Sequence, residues 1–458
     1  MIESNMIESN ENSLNSWLSS SIVIVVLLSA FAFGLFYIAE HNFLIIQTEA
    51  FVTDIEEQET WSAGGSAKRR LAFLGCAGIG MMSLLLGRGQ TFRLNLPVAL
   101  IAIYLLWAGA SYVWSIDRGA TSRRYILMLC CAIGCFGFCR FAKVKDVVLA
   151  TVIVTFAYLL LGVGTELVFG KFRPHTGAHR FAGTLHPNIQ AANLAMGCIA
   201  SFTMTRVMPK AKTLFYGVFG VMFLFLLMTK CRSATATVPV AMGVIWIASQ
   251  PTGRIIVGLA SGFWLVSVTV LTCMVTDFNP ITEYSDALLL GRAEETGSSL
   301  TGRLPLWEDL SLYIAFRPVQ GYGFGAFWTP RHINDIAVSQ EWVISEAHSS
   351  YVDAALQLGV VGGIVMAFAA ISTFFYSAII FRKTLRPEYL FLVGGVFFTL
   401  VRGFTESGMS GPTGSTSFLF LAIAAHSWNS PAKLIDTIGS VNNDSGSVSP
   451  DQTQDLNQ

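Results

Sequence analysis

Apolar runs of span length recur along the whole chain, and they constrain it more than any other feature. A bilayer crossing needs roughly 20 mostly apolar residues. Runs of that kind lie near Ser19–Tyr37, Leu71–Leu86, Leu94–Trp114, Tyr125–Phe141, Val147–Phe169 and Ile189–Thr205. Others follow near Leu214–Met228, Ala234–Ala248, Ile255–Val275, Val352–Ile380, Tyr389–Val401 and Thr413–Trp428. The pattern predicts an all-α, polytopic transmembrane helix bundle of about 12 spans. Charged residues are 13% of the chain, about half the soluble norm, which fits lipid as solvent. Zero net charge leaves no basic field for nucleic acid. The start of the chain is acidic and polar (Glu3, Glu8, Glu11), unlike a cleavable signal peptide, so the first run reads as an uncleaved span.

Four regions follow. Residues 1–275 hold about nine N-terminal spans, and 276–348 form one large polar loop. Residues 349–429 hold about three C-terminal spans, and 430–458 form a tail rich in Ser, Asn, Asp and Gln that reads as disordered and cytoplasmic. Lys and Arg divide evenly between the two sets of short loops, so charge bias does not set the orientation. With both termini inside, the large loop lies outside. The cysteines sit within apolar runs or at their ends. Cys131, Cys135 and Cys139 share one helix face and read as small packing residues rather than metal or redox groups.

The loop carries the chemistry. In Thr301-Gly-Arg303-Leu-Pro305-Leu-Trp307, Pro305 suits a first helical turn, and Leu306, Leu310, Tyr313 and Ile314 make one apolar face ended by Arg317-Pro318. Gly321-Tyr-Gly323-Phe-Gly325 reads as a tight turn, because no strand precedes it and no nucleotide-binding unit surrounds it. Its Tyr322, Phe324 and Trp328 are expected to face a sugar or the membrane interface. Ser350 and Asp353 fit a capping box. His348 then sits just before a helix N-terminus, whose dipole disfavours imidazolium. A neutral imidazole there can take a proton from a hydroxyl; the bland alternative is a histidine that bonds loop backbone. Arg180, Arg232 and Arg402 lie at span boundaries, where guanidinium forks either hold phosphate or snorkel to headgroups. Glu166, near the outer end of a span, is expected either to pair with one of them or to snorkel. His179 and His186 read as loop structure, with phosphate contact as the lesser reading, and His426 as a packing residue. No residue set points to a bound metal, nucleotide or other cofactor.

Several motifs together resemble the O-antigen ligase and polysaccharide polymerase superfamily. They are Gly302-Arg303 with Trp307, Arg317-Pro318 with Gly321-Tyr-Gly323-Phe-Gly325 and Phe327-Trp328, and Ala347-His348 with Tyr351-Val-Asp353. Arg180-Phe-Ala-Gly183, Pro187-Asn188 and Arg232-Ser233 add to the match. The resemblance runs from about Arg180 to Gly411 and favours the exopolysaccharide polymerase branch. It implies a metal-independent, inverting glycosyltransferase of the bacterial inner membrane. The donor would be glycan on undecaprenyl pyrophosphate, and the acceptor another glycan or a lipid A core. Other polysaccharide-assembly proteins are possible partners. By the match His348 would be the base, and Arg303 and Arg232 would hold the pyrophosphate. Arg180, Asn188, Trp307, Glu346 and Arg402 are the further substrate contacts expected. Ser349 stands where the family usually has Asn. A ligase acting on lipid A core is the runner-up. A transporter or flippase is the reading from another class; it predicts spans broken by Gly or Pro in matched halves and an inverted repeat, neither of which the sequence displays. A non-catalytic assembly protein is the last alternative.

Overall fold

The computed structural model describes residues 67–86, 91–176, 179–254, 303–340 and 344–428, with scattered positions in 25–32 and 257–268. The expected spans Ser19–Tyr37 and Ile255–Val275, the loop before Arg303 and the tail after Trp428 lie outside those residues, apart from the scattered positions.

Twelve helices are described. The first seven are α1 (Ala67–Leu86), α2 (Leu96–Ala110), α3 (Arg118–Phe141), α4 (Val144–Val168), α5 (Pro187–Val207), α6 (Lys212–Met228) and α7 (Arg232–Ala248). Then come α8 (Arg303–Phe316), α9 (Pro330–Gln340), α10 (Ser350–Thr384), α11 (Tyr389–Arg402) and α12 (Gly414–Trp428). No strand occurs among the described residues. Among the described residues, five stretches are long and apolar enough to cross a membrane: Leu96–Val113, Arg118–Phe141, Val144–Val168, Pro209–Met228 and Ser350–Thr384. Each expected span inside the described residues coincides with a helix. The largest shift is at α3, which starts at Arg118 rather than Tyr125. Asp117 caps it by accepting from the Ala120 amide at 2.9 Å, so the helix begins at the cap rather than at the first apolar residue.

Two apolar cores divide the bundle. One is built by α4, α5, α6, α7 and α11, with Leu159, Leu194, Ile199, Val238 and Phe391 fully buried. The other joins α2, α3, α10 and α12 around Tyr104, Met128, Leu358 and Phe420. Cys131, Cys135 and Cys139 lie along α12. Cys131 Sγ is 3.1 Å from Ser417 Oγ, and Cys139 Sγ donates to the Leu421 carbonyl. They pack, as their spacing suggests. His426 is buried in α12 with Nε2 2.7 Å from Ser377 Oγ; its Nδ1 has no hydrogen-bond partner, so it is only half satisfied.

A third, small core belongs to the large loop. Leu306 and Leu310 of α8 are fully buried against Tyr322, Phe327, Ile336, Ala347 and Leu356, with Tyr313 and Ile314 on the same face. The aromatics of the glycine turn, expected to face a sugar or the membrane interface, instead pack into the protein. Tyr322 and Phe324 are buried, and Trp328 donates to Asp353 Oδ1 at 2.8 Å. The turn docks on α10, which is broken at Gly359 (φ 71, ψ 178). The amides of Tyr322 and Gly323 donate to the carbonyls of Leu356 and Gln357, both at 2.9 Å, and the Val360 amide donates to Pro318 at 2.8 Å. A broken helix at membrane depth needs such partners for its freed backbone groups. Gly321 and Gly359 meet backbone to backbone, with no room for a Cβ on either. The break stands alone, without the matched second break among the described residues that the transporter reading predicts.

The other side of the turn is held by α2 and α3. Phe324 N–H donates to Ser111 Oγ at 2.9 Å, Trp114 Nε1 donates to the Gln320 carbonyl at 2.8 Å, and Arg124 donates to the Gly325 carbonyl. Arg124 is thereby a structural arginine.

Candidate functional site

Three segments meet at the N-terminal end of α10. The first is the loop Ile344–Ser349, whose position α8 fixes. Trp307 Nε1 donates to the Ala347 carbonyl at 2.9 Å. Asp353 Oδ1 accepts from the Ala347 amide at 3.3 Å as well as from Trp328. Asp353 thus braces the loop, and the expected capping box does not form. Ser350 Oγ donates to the Glu406 carbonyl at 2.7 Å and accepts from the Met409 amide at 3.0 Å, and Ser349 Oγ reaches the Gly403 carbonyl at 3.3 Å. Ser349 occupies the cap position without capping.

Between these anchors His348 takes a left-handed backbone (φ 49), uncommon for a residue with a Cβ and costly unless its surroundings enforce it. Its Nδ1 lies 2.9 Å from Glu346 Oε1. The His348 side chain is 24% exposed and that of Glu346 44%, so the pair is reachable from outside. Desolvation by the surrounding protein disfavours the imidazolium, but the hydrogen bond and charge of Glu346 outweigh it and raise the His348 pKa above its ordinary value. Desolvation likewise pushes the Glu346 carboxyl up, although its outer edge is open to water. The His348 bond reverses that push and leaves the pKa below the ordinary carboxylate value. The helix dipole alone predicted a depressed histidine. The carboxylate at 2.9 Å is the stronger influence.

The second segment runs from Arg180 to the start of α5. Arg180 Nε donates to the Thr229 carbonyl at 3.2 Å, and its guanidinium reaches Asn188 Oδ1 at 3.3 Å. Asn188 Nδ2 donates to Glu406 Oε1 at 3.0 Å. His186 precedes α5, and its Nδ1 accepts from the Asn188 amide at 3.3 Å. Burial and the charge of Arg180 lower its pKa, and it also senses Glu346, His348 and Arg402. Glu166 does not pair with an arginine. Its Oε1 accepts from the amides of Ala182 and Gly183 at 2.9 and 2.8 Å, and Oε2 lies 3.6 Å from His179 Nε2.

The third segment is the end of α11. Arg402 donates to Ser415 Oγ at 3.3 Å and to the Asn188 carbonyl at 3.2 Å, and its buried Nε has no partner. Arg303, the first residue of α8, brings Nη2 to 3.8 Å from Glu406 Oε1. Burial raises the Glu406 pKa against the lowering effect of Arg402 and Arg303.

Of the residues singled out from sequence, Arg180, Asn188, Arg303, Glu346, His348 and Arg402 converge. Trp307 holds the His348 loop from behind. Arg232 opens α7, three residues after the Thr229 carbonyl that anchors Arg180. Two members were not singled out: Glu406 and, as more than loop structure, His186. An acid one turn past a boundary arginine, between two spans, was the available signal for Glu406.

Glu346, His348 and Glu406 also bring ligand atoms within 4.8 Å of one another, a donor trio that the sequence did not suggest. Arg303 and Arg402 are interleaved with it, which makes the cluster one of mixed charge. Arg180, Arg303 and Arg402 against two carboxylates leave an excess of positive charge for an anion.

A family model described as O-antigen ligase matches residues 217–367 and supports the O-antigen ligase and polymerase superfamily. The matched stretch includes Arg232, Arg303, Trp307, Glu346 and His348, whereas Arg180, Asn188, Arg402 and Glu406 lie outside it. No curated protein matches the chain. With the apolar helices, the match points to a multi-pass bacterial membrane enzyme that uses a lipid-linked glycan.

Proposed function

We propose that this O-antigen ligase-type enzyme polymerises repeat units of a surface or exopolysaccharide at the periplasmic face of the inner membrane, from glycan carried on undecaprenyl pyrophosphate. The supporting observation is a Glu346–His348 pair set beside a cluster of guanidiniums. His348 Nε2 takes the proton of an acceptor hydroxyl while Glu346 stabilises the imidazolium that forms. The acceptor oxygen bonds to the anomeric carbon from the face opposite the leaving group. The bond from that carbon to the pyrophosphate oxygen breaks, and its electron pair departs with the carrier lipid. Arg303, Arg402, Arg180 and Arg232 hold and neutralise the pyrophosphate as charge builds on it. The geometry inverts the anomeric centre, and arginine supplies the positive charge that a metal would otherwise bring. In this reading the chain has about 12 spans with both termini inside, which puts the large loop on the outer side.

The test is the surface-glycan profile of a deletion strain carrying wild-type protein or His348→Ala at matched membrane levels. Loss of high-molecular-weight polysaccharide with His348→Ala is expected; full restoration overturns the reading. Single repeat units left on the carrier identify a polymerase. Long carrier-linked chains beside bare lipid A core identify a ligase instead. Activity of the purified protein is expected to survive chelator.

A further inference from the structure

The site contains two carboxylates with different employment. Glu346 is engaged with His348. Glu406 is set against the groups assigned to the donor. Its Oε1 accepts from Asn188 Nδ2 at 3.0 Å and lies 3.8 Å from Arg303 Nη2, with Arg402 one turn before it. Its side chain is mostly buried, and it lies outside the stretch that the O-antigen ligase family model matches.

We propose that Glu406 is the chain's own counter-ion to the donor-binding guanidiniums, an internal competitor that a pyrophosphate must displace. This rests on the reading above that those guanidiniums hold the donor pyrophosphate. Both anions need the same positive charge, and a carboxylate about 4 Å from a second anion repels it.

The backbone shows what can move. The Glu406 amide donates to the Arg402 carbonyl at 2.9 Å, and its own carbonyl accepts from the Ser350 amide and hydroxyl at 3.1 and 2.7 Å. The main chain is pinned to the N-terminal end of α10. Displacement is therefore a side-chain swing about a fixed Cα, not a loop opening. The swing releases Arg303 and Asn188 together, because both meet the same oxygen. A carboxylate that is already poorly solvated gives way more readily than one in water. The arrangement neutralises guanidiniums that would otherwise face one another, and it selects for donors whose charge exceeds a single carboxylate.

The experiment measures binding of inorganic pyrophosphate to full-length protein in lipid nanodiscs by calorimetry, at fixed pH and salt. Glu406→Gln, which keeps the shape, is expected to bind at least about fivefold tighter than wild type. Glu406→Asp keeps an acid for folding but withdraws it by one methylene, and is expected to bind about twofold tighter. Unchanged or weaker binding in both variants, with binding still lost in Arg303→Ala, overturns the competitor and leaves the donor site standing. Binding that ignores Arg303→Ala, or none in any variant, overturns the donor site and the competitor with it.

Discussion

Among the described residues two glutamate–histidine pairs lie near boundary arginines, and they differ in what surrounds the carboxylate. Glu166 and His179 are sealed, with side chains 5% and 9% exposed, and Glu166 spends one oxygen on two backbone amides. Glu346 and His348 are open, 0.7 Å closer together (3.6 Å against 2.9 Å), and joined by side chains alone. A carboxylate that binds backbone donors fixes a loop; the loop here is the one that carries Arg180 to Thr229 and Asn188. A carboxylate that binds an exposed imidazole tunes a base. The same two residue types therefore build the frame in one place and the proposed chemistry in the other.

The largest expected effect separates the two histidines. His348→Ala is expected to lower glycan transfer by about 10²- to 10⁴-fold, the usual worth of a general base, with little change in melting temperature. The matched change His179→Ala should leave transfer per folded molecule within a few-fold, and equal losses in an in vitro transfer assay would erase the contrast.

Next in size is Glu166→Ala. It strands the amides of Ala182 and Gly183 in a buried place, at about 1–3 kcal/mol each. A drop in thermal stability larger than that of Glu346→Ala is expected from denaturation in nanodiscs. A stable Glu166→Ala protein that has lost only transfer would move Glu166 into the chemistry.

A smaller effect sharpens the open pair. The His348 pKa is raised, so the base is neutral only at higher pH than an ordinary histidine would require, and kcat/KM rises with pH through that raised value. Glu346 and Glu406 raise it, while desolvation and Arg303 lower it, and His186 stands nearby. Glu346→Gln removes the main raising influence. The acid limb of the pH profile should move to lower pH while the maximum rate falls by about tenfold. An unmoved limb would show that Glu346 does not set the base.

The smallest effect concerns the frame of the open pair. Trp307→Phe keeps the apolar contact with the loop core but loses the bond to the Ala347 carbonyl, at about 1 kcal/mol. Its kcat should fall with KM nearly constant; a KM effect alone would make Trp307 the substrate contact that the sequence suggested.

The all-helical membrane bundle was legible because an apolar run reports its own burial in lipid, residue by residue. So was α8, whose face of Leu306, Leu310, Tyr313 and Ile314 is now the lid of the third core. His348 was legible by its place in a loop before a long apolar helix. Local pattern carries nothing about which loop meets which. Asn188 and Glu406 are 218 positions apart, and only the packing of α5 against α11 brings them together. The break at Gly359 was invisible because its freed backbone groups are satisfied by Pro318, Tyr322 and Gly323 of another segment. Glu346 outranks the helix dipole at His348 because a charge at 2.9 Å acts more strongly than a spread of partial charges. By itself the sequence determined which segments form apolar helices and where the candidate base stands. The tertiary structure alone decided the partner of that candidate base, the carboxylate that meets Arg303 and Asn188, and which of two similar pairs is open to solvent.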